Sequence, residues 1–155
     1  MHEDEVEEAP GHLSAAEAAA LPLTGLTAWR ALVSKSGEAE EGRNVLVTGI
    51  GGGVALNVLQ FAVEKGCEVW VTSGSQEKIE KARGLGARGG VSYRGEKWEQ
   101  ELKKMLPGER PYFDAVIDGA GGDVVKRALR LLKVCFRSEA RRSVGKANGC
   151  SPVES

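Results

Sequence analysis

A chain of 155 residues can bury one ordinary core, and the usual domain size leaves no room for two. Its 21 Lys and Arg against 22 Asp and Glu give a net charge of -1, so the balance offers no electrostatic case for nucleic acid or an anionic membrane as partner. Three separated cysteines and only His2 and His12 suit neither a disulfide framework nor a zinc centre, no apolar run approaches the roughly 20 residues of a membrane helix, and an acidic start is unlike a secretory or mitochondrial leader. No metal and no membrane are therefore expected, and the expected setting is cytoplasmic.

Residues 1–12, opening MHEDEVEE, read as an acidic leader expected to be disordered. Ser14 before AAEAAALPL, with Glu17 three residues on, makes a capping box and predicts a helix. TGLTAWRALVSKSG, from Thr24, predicts a second amphipathic helix ending at Gly37. The periodicity then changes. VLVT is an apolar run of strand length, and the glycines after it open into the helix VALNVLQFAVEKG, stopped by Gly66. The same order of strand, turn and helix repeats in CEVWVTSGS with QEKIEKARGLG, in GGVSY with the helix from Trp98 to Leu106, and in FDAVIDGAGG with DVVKRALRLLK. Strands alternating with helices at this spacing predict an α/β fold, a doubly wound parallel sheet of the Rossmann type. It is incomplete, with about four of the roughly six strands that order 3-2-1-4-5-6 contains. Residues 13–133 form this domain. From Val134 to Ser155 the pattern stops and a basic tail, expected to be disordered, follows.

The 21 glycines are about twice the ordinary share, and the string GIGGGVA, Gly49 to Ala55, explains some of them. A phosphate pair reaches a helix N-terminus only where the turn lacks side chains, because backbone N–H groups and the helix dipole then face the anion. The favoured register puts the tight turn at Gly51, Gly52 and Gly53, with Ala55 the small residue between helix and strand. A Walker loop needs Lys-Ser or Lys-Thr after the last glycine, and Val54-Ala55-Leu56 stands there. The Tyr-x-x-x-Lys pair of a short-chain dehydrogenase has an imitation in Tyr93 and Lys97, but that pair straddles Gly95 just after a strand. A methyltransferase needs an acid at the end of the second strand, where Thr72-Ser73-Gly74-Ser75 lies.

Four segments in order, LSAAEAAALPLTGLTAWRAL, NVLVTGIGGGVALNVLQFA, VWVTSGSQEKIEKARGLGA and FDAVIDGAGGDVV, resemble the medium-chain dehydrogenase/reductase superfamily on its zinc-type alcohol dehydrogenase-like and quinone oxidoreductase-like side. The resemblance covers about Leu13 to Lys133. It implies an NADP(H)-dependent oxidoreductase that passes hydride between the coenzyme and a small-molecule carbonyl, quinone or activated alkene. It implies that Gly51, Gly52, Gly53 and Val54 meet the pyrophosphate, and that Ser73, Gly74, Ser75 and Lys78 form an NADP pocket with Tyr93 near the 2′-phosphate or adenine. Asp118, Gly119, Ala120 and Gly121 would border the rest of the cofactor, and Thr24 and Thr27 its nicotinamide end. Other readings stand beside these: Lys78 as a solvated helix residue, Asp118 as a cap for the helix near Asp123, the two threonines as capping or packing groups. No proton donor is assigned, so the catalytic residues are unknown. Members of that family carry a barrel domain ahead of this stretch and more strands after it. On that basis the chain is expected to be a fragment, with a catalytically inactive nucleotide-binding or subunit-pairing protein as the alternative. The edge at Ala115 to Asp118 is expected to promote self-association, as a homo-oligomer or less specifically.

Overall fold

The computed structural model describes residues 8–133, so the basic tail and most of the acidic leader lie outside the described residues. The first helix, α1 (Ala15–Trp29), starts as expected: the Ser14 hydroxyl accepts the N–H of Glu17 and the Glu17 carboxylate accepts the N–H of Ser14. Two helices were expected here, and one is found. It runs through Pro22 and Gly25 and continues as a π-helical stretch, Arg30–Lys35. Packing overrides the breakers: Ala28 and Leu32 are fully buried, and Trp29 meets Phe61 edge-on at 5.6 Å.

The alternation then follows as β1 (Asn44–Val47), α2 (Gly53–Glu64), β2 (Glu68–Ser73), α3 (Gln76–Gly84), β3 (Gly89–Ser92), α4 (Trp98–Met105), β4 (Ala115–Ile117) and α5 (Gly122–Ala128). All pairs are parallel and the order is β3-β2-β1-β4, the expected 3-2-1-4. Successive strand residues point to opposite faces, and the core divides by that rule. Val45, Val47, Val69 and Val71 pack with Val58, Leu59 and Ala62 of α2, Leu32, and Ile79 of α3. Leu46, Trp70 and Val91 pack on the other face with Trp98 and Leu102 of α4, Phe113 and Ala128 of α5. The winding changes face between β3 and β4, so the strand order reverses at β1 and the carboxyl ends of β1 and β4 flank a crevice.

Beyond β4, Phe113 donates its N–H to the Leu131 carbonyl at 2.9 Å and accepts that of Lys133 at 2.8 Å. The flank of β4 is therefore partly engaged at its amino end. Among the described residues Ala115–Ile117 pairs only with β1.

At the amino ends of the strands the Asp114 carboxylate is fully buried. It accepts the N–H of Asn44 at 2.9 Å and guanidinium N–H groups of Arg110 at 2.8 Å and Arg43 at 3.3 Å. This joins the start of β1 to the approach to β4. Asp114→Ala should lower stability by about 2–3 kcal/mol: a buried backbone N–H loses its acceptor, while both guanidinium groups stay partly hydrated. Urea unfolding followed by circular dichroism checks this, and an unchanged midpoint would mean that the network holds nothing.

Candidate functional site

The glycine turn leaves β1 through Thr48 and enters α2. Gly49 has φ +67°, and a Cβ there would lie 2.9 Å from the carbonyl carbon of Gly119, so the turn after β1 touches the turn after β4 backbone to backbone. Gly51 has φ +122°, and a Cβ would lie 2.8 Å from Cδ of Lys78, whose stem therefore crosses the turn. Gly52 caps α2 with no side-chain hydrogen bond. The first-turn N–H groups of α2 thus face outward at the positive end of its dipole.

The second wall comes from the end of β2. Ser73 is nearly buried, donating to the Ile50 carbonyl at 3.5 Å and accepting the N–H of Ser75 at 3.2 Å. Ser75 starts α3, and its hydroxyl makes no capping bond. At Gly74 a Cβ would sit 2.9 Å from the Tyr93 hydroxyl and 3.1 Å from Nε of Arg94, so the side chains of the loop after β3 close over the end of β2. Glu77 is the nearest acid in sequence to Lys78. It is exposed and paired with Lys81 at 2.8 Å.

These walls and Gly119 and Ala120 from the end of β4 enclose an open cleft of about 520 Å³, within the roughly 300–1,000 Å³ common for small-molecule sites. Two cations, Lys78 and Arg94, line it, and no carboxylate does. A wider depression of about 840 Å³ lies along α1 beside Leu26, Trp29 and Phe61. It is mostly apolar, and the helix start it includes, at Ala15, is already capped by Ser14 and Glu17.

The structure brings Gly51, Gly52, Ser73, Gly74, Ser75, Lys78 and Tyr93 to the cleft together with Gly119 and Ala120. The other six residues singled out from the sequence lie outside its lining. Gly53 lies against α1, where a Cβ would be 3.0 Å from Cγ2 of Thr24, and Val54 is half-buried in α2 against the core. Thr24 donates to the Ala20 carbonyl at 3.2 Å and accepts from Asn57 at 3.1 Å; Thr27 donates to the Leu23 carbonyl at 2.6 Å. Asp118 accepts the Thr48 hydroxyl and the N–H groups of Ala120 and Gly121, at 3.3 and 3.0 Å, so its carboxylate ties the turn before α5. Gly121 begins that helix with φ +71°. Lys97, of the imitation pair, is not in the lining. Sequence reasoning missed Gly49, Ile50 and Arg94, of which Arg94 carries chemistry. Its signal was only its place next to Tyr93. Cys67 is buried with its thiol donating to the Glu40 carbonyl at 3.3 Å, and burial pushes that thiol above its ordinary value.

A parallel sheet wound by helices on both faces, with a glycine turn at a helix N-terminus where the strand order reverses, defines a dinucleotide-binding domain of the Rossmann type. The chain belongs to the zinc-binding dehydrogenase family, whose family model matches residues 53–135, and through it to the medium-chain dehydrogenase/reductase superfamily. It is 58% identical over 143 residues to the zinc-type alcohol dehydrogenase-like protein YogA of Leptosphaeria maculans, covering 88% of this chain and 40% of that relative. It is similar to the crystal structure of an NAD-dependent alcohol dehydrogenase, with TM-score 0.74 and 36% identity over 81% of this chain and 36% of that one. It is also similar to the quinone oxidoreductase of Thermus thermophilus, solved with NADPH, with TM-score 0.66 and 30% identity over 80% of this chain and 39% of that one. The chain spans about 40% of the length of the relative from Leptosphaeria. By family the matched stretch is the nucleotide-binding domain of an oxidoreductase. Among the described residues no three His, Cys, Asp or Glu side chains are grouped to hold a metal ion, so the described residues do not fit zinc.

The contact between the two turns generates a contrast. Gly49→Ala places a methyl against backbone in a left-handed conformation and should cost about 2 kcal/mol or more. Gly52→Ala, at φ -80° with open space around it, should cost under about 1 kcal/mol. Thermal unfolding of both variants tests this, and equal losses would contradict the described contact.

Proposed function

We propose that this cleft holds NADP(H), and that the whole protein passes hydride between NADPH and a small-molecule carbonyl, quinone or activated alkene. The observation that carries this reading is the rim at the end of β2, where Lys78 and Arg94 stand with the Ser75 and Tyr93 hydroxyls and no carboxylate is in the lining. A ribose with two free hydroxyls is held by an acid at this place, and an acid repels a 2′-phosphate. Two cations and two hydroxyls favour the phosphate.

The residues fit the dinucleotide in a second respect, since Gly51 and Gly52 clear the approach to the α2 N-terminus, where the N–H groups would receive the pyrophosphate. Bound there, the nicotinamide supplies or accepts the hydride. The chain's own groups bind and orient: Lys78, Arg94, Ser75 and Tyr93 at one end, the α2 amides at the centre, and the Gly119–Ala120 turn toward the other end. No helix among the described residues is long and apolar enough to cross a membrane.

Fluorescence titration of the chain with both coenzymes tests the reading. NADPH should bind more tightly than NADH. A charge-assisted contact contributes about 1.5–3 kcal/mol, so Lys78→Ala and Arg94→Ala should each weaken NADPH about ten-fold or more and leave NADH nearly unchanged. Equal affinities in the unaltered chain, or equal losses for both coenzymes, overturn the assignment.

Self-association through the sheet edge is a separate proposal. It rests on the three residues Ala115–Ile117, paired on one side among the described residues. Size-exclusion chromatography should show a species that grows with concentration, and a monodisperse monomer at high concentration sinks it.

A further inference from the structure

Thr48 closes β1 just before the glycine turn, and it is completely buried although polar. Its hydroxyl donates to Oδ1 of Asp118 and accepts the N–H of Gly119 at 3.1 Å, while its backbone N–H donates to the Ile117 carbonyl at 3.0 Å. Asp118 then gathers the N–H groups of Ala120 and Gly121, so one hydroxyl and one carboxylate occupy three consecutive amides of the turn after β4. On the other side, Ile50 donates its N–H to the Thr72 carbonyl at 2.9 Å. The turns after β4 and β1 are thus linked to each other, and the second of them to strand β2.

Packing alone does not ask for a hydroxyl at this position. Val45 and Val47 of the same strand are apolar and as deeply buried, and valine has nearly the shape of threonine. What the hydroxyl adds is a link of fixed length between the two turns that bracket the reversal of strand order: Gly49 and Ile50 on one side, Gly119 and Ala120 on the other.

We propose that Thr48, acting through Asp118, is a positioning residue that sets the spacing between the turns after β1 and β4, and so the affinity for the half of the dinucleotide that crosses between them. The inference rests on the nucleotide reading above. It differs from that reading in what it leaves alone: the phosphate rim at Lys78 and Arg94 is built on β2 and β3 and does not depend on this link. It also gives Asp118 a role with no cofactor contact.

The test titrates the full chain with NADPH and with adenosine 2′,5′-bisphosphate, which carries the 2′-phosphate but lacks the nicotinamide half. Thr48→Val should weaken NADPH about ten-fold and leave the bisphosphate unchanged, and Thr48→Ser should restore affinity to within about two-fold. Asp118 is exposed, so Asp118→Ala keeps the test open if Thr48→Val fails to fold, and it should reproduce the selective loss. The double variant should be no weaker than either single one, because both changes break one link. Equal losses for both ligands, no loss for Thr48→Val, or additive losses in the double variant overturn the proposal. If the unaltered chain binds neither ligand, the nucleotide reading falls and this inference with it. If it binds both and Thr48→Val has no effect, only the link is refuted.

Discussion

The arrangement depends on β1 being covered on every side. Its four residues are buried, it has a parallel neighbour on each edge, and helices cover both faces. A parallel neighbour cannot be reached by a tight hairpin, so the chain must leave β1, cross over a face and return in the same direction. It does so toward β2 over one face and reaches β4 over the other. The carboxyl end of β1 is consequently the one place where the departing connections diverge, and the cleft is a result of winding before it is a result of side chains.

Given that divergence, the local chemistry has few solutions. A turn that leaves a buried strand and starts a helix within a few residues must pass close to the turn after β4, and Gly49 is where the backbones meet. The same turn must leave room for Lys78, which crosses Gly51 from α3. Gly49 is thus required by a backbone contact and Gly51 by its left-handed φ, before any ligand is considered. Gly52 has open space around it, and its want of a side chain matters only toward the cleft.

The fold was largely legible because each strand is a short apolar run between turn residues and each helix has a start or stop signal nearby. The single long α1 was not legible. Pro22 and Gly25 are local stop signals, whereas the contacts that override them lie on α2, more than thirty residues away by sequence number. The cleft was partly legible. Residues on the turns after β1 and β2 could be placed from their position after a strand, but Arg94 depends on register: Ser73 pairs with Ser92, so the residues following each strand become neighbours at Gly74. A sequence read alone does not fix that register. Asp118 shows the opposite limit, since an acid after a strand has the same local signature whether it faces a ligand or ties a turn. Thr48, seventy positions away, makes the difference.

The two ends of the sheet are electrostatic opposites. At the amino ends the buried Asp114 is matched by two guanidinium groups and a backbone amide, so charge and hydrogen-bonding capacity are satisfied within the chain. At the carboxyl ends the helix N-terminus adds roughly half a positive charge to Lys78 and Arg94, and no carboxylate in the lining offsets them. Asp118, next to that lining in sequence but outside it, accepts from Thr48 and from the amides of its own turn. The sum at this end is an anion-seeking surface on a hydrogen-bonded floor. The stability that such a surface forgoes is supplied by the core and by the satisfied network at the far end of the same strands.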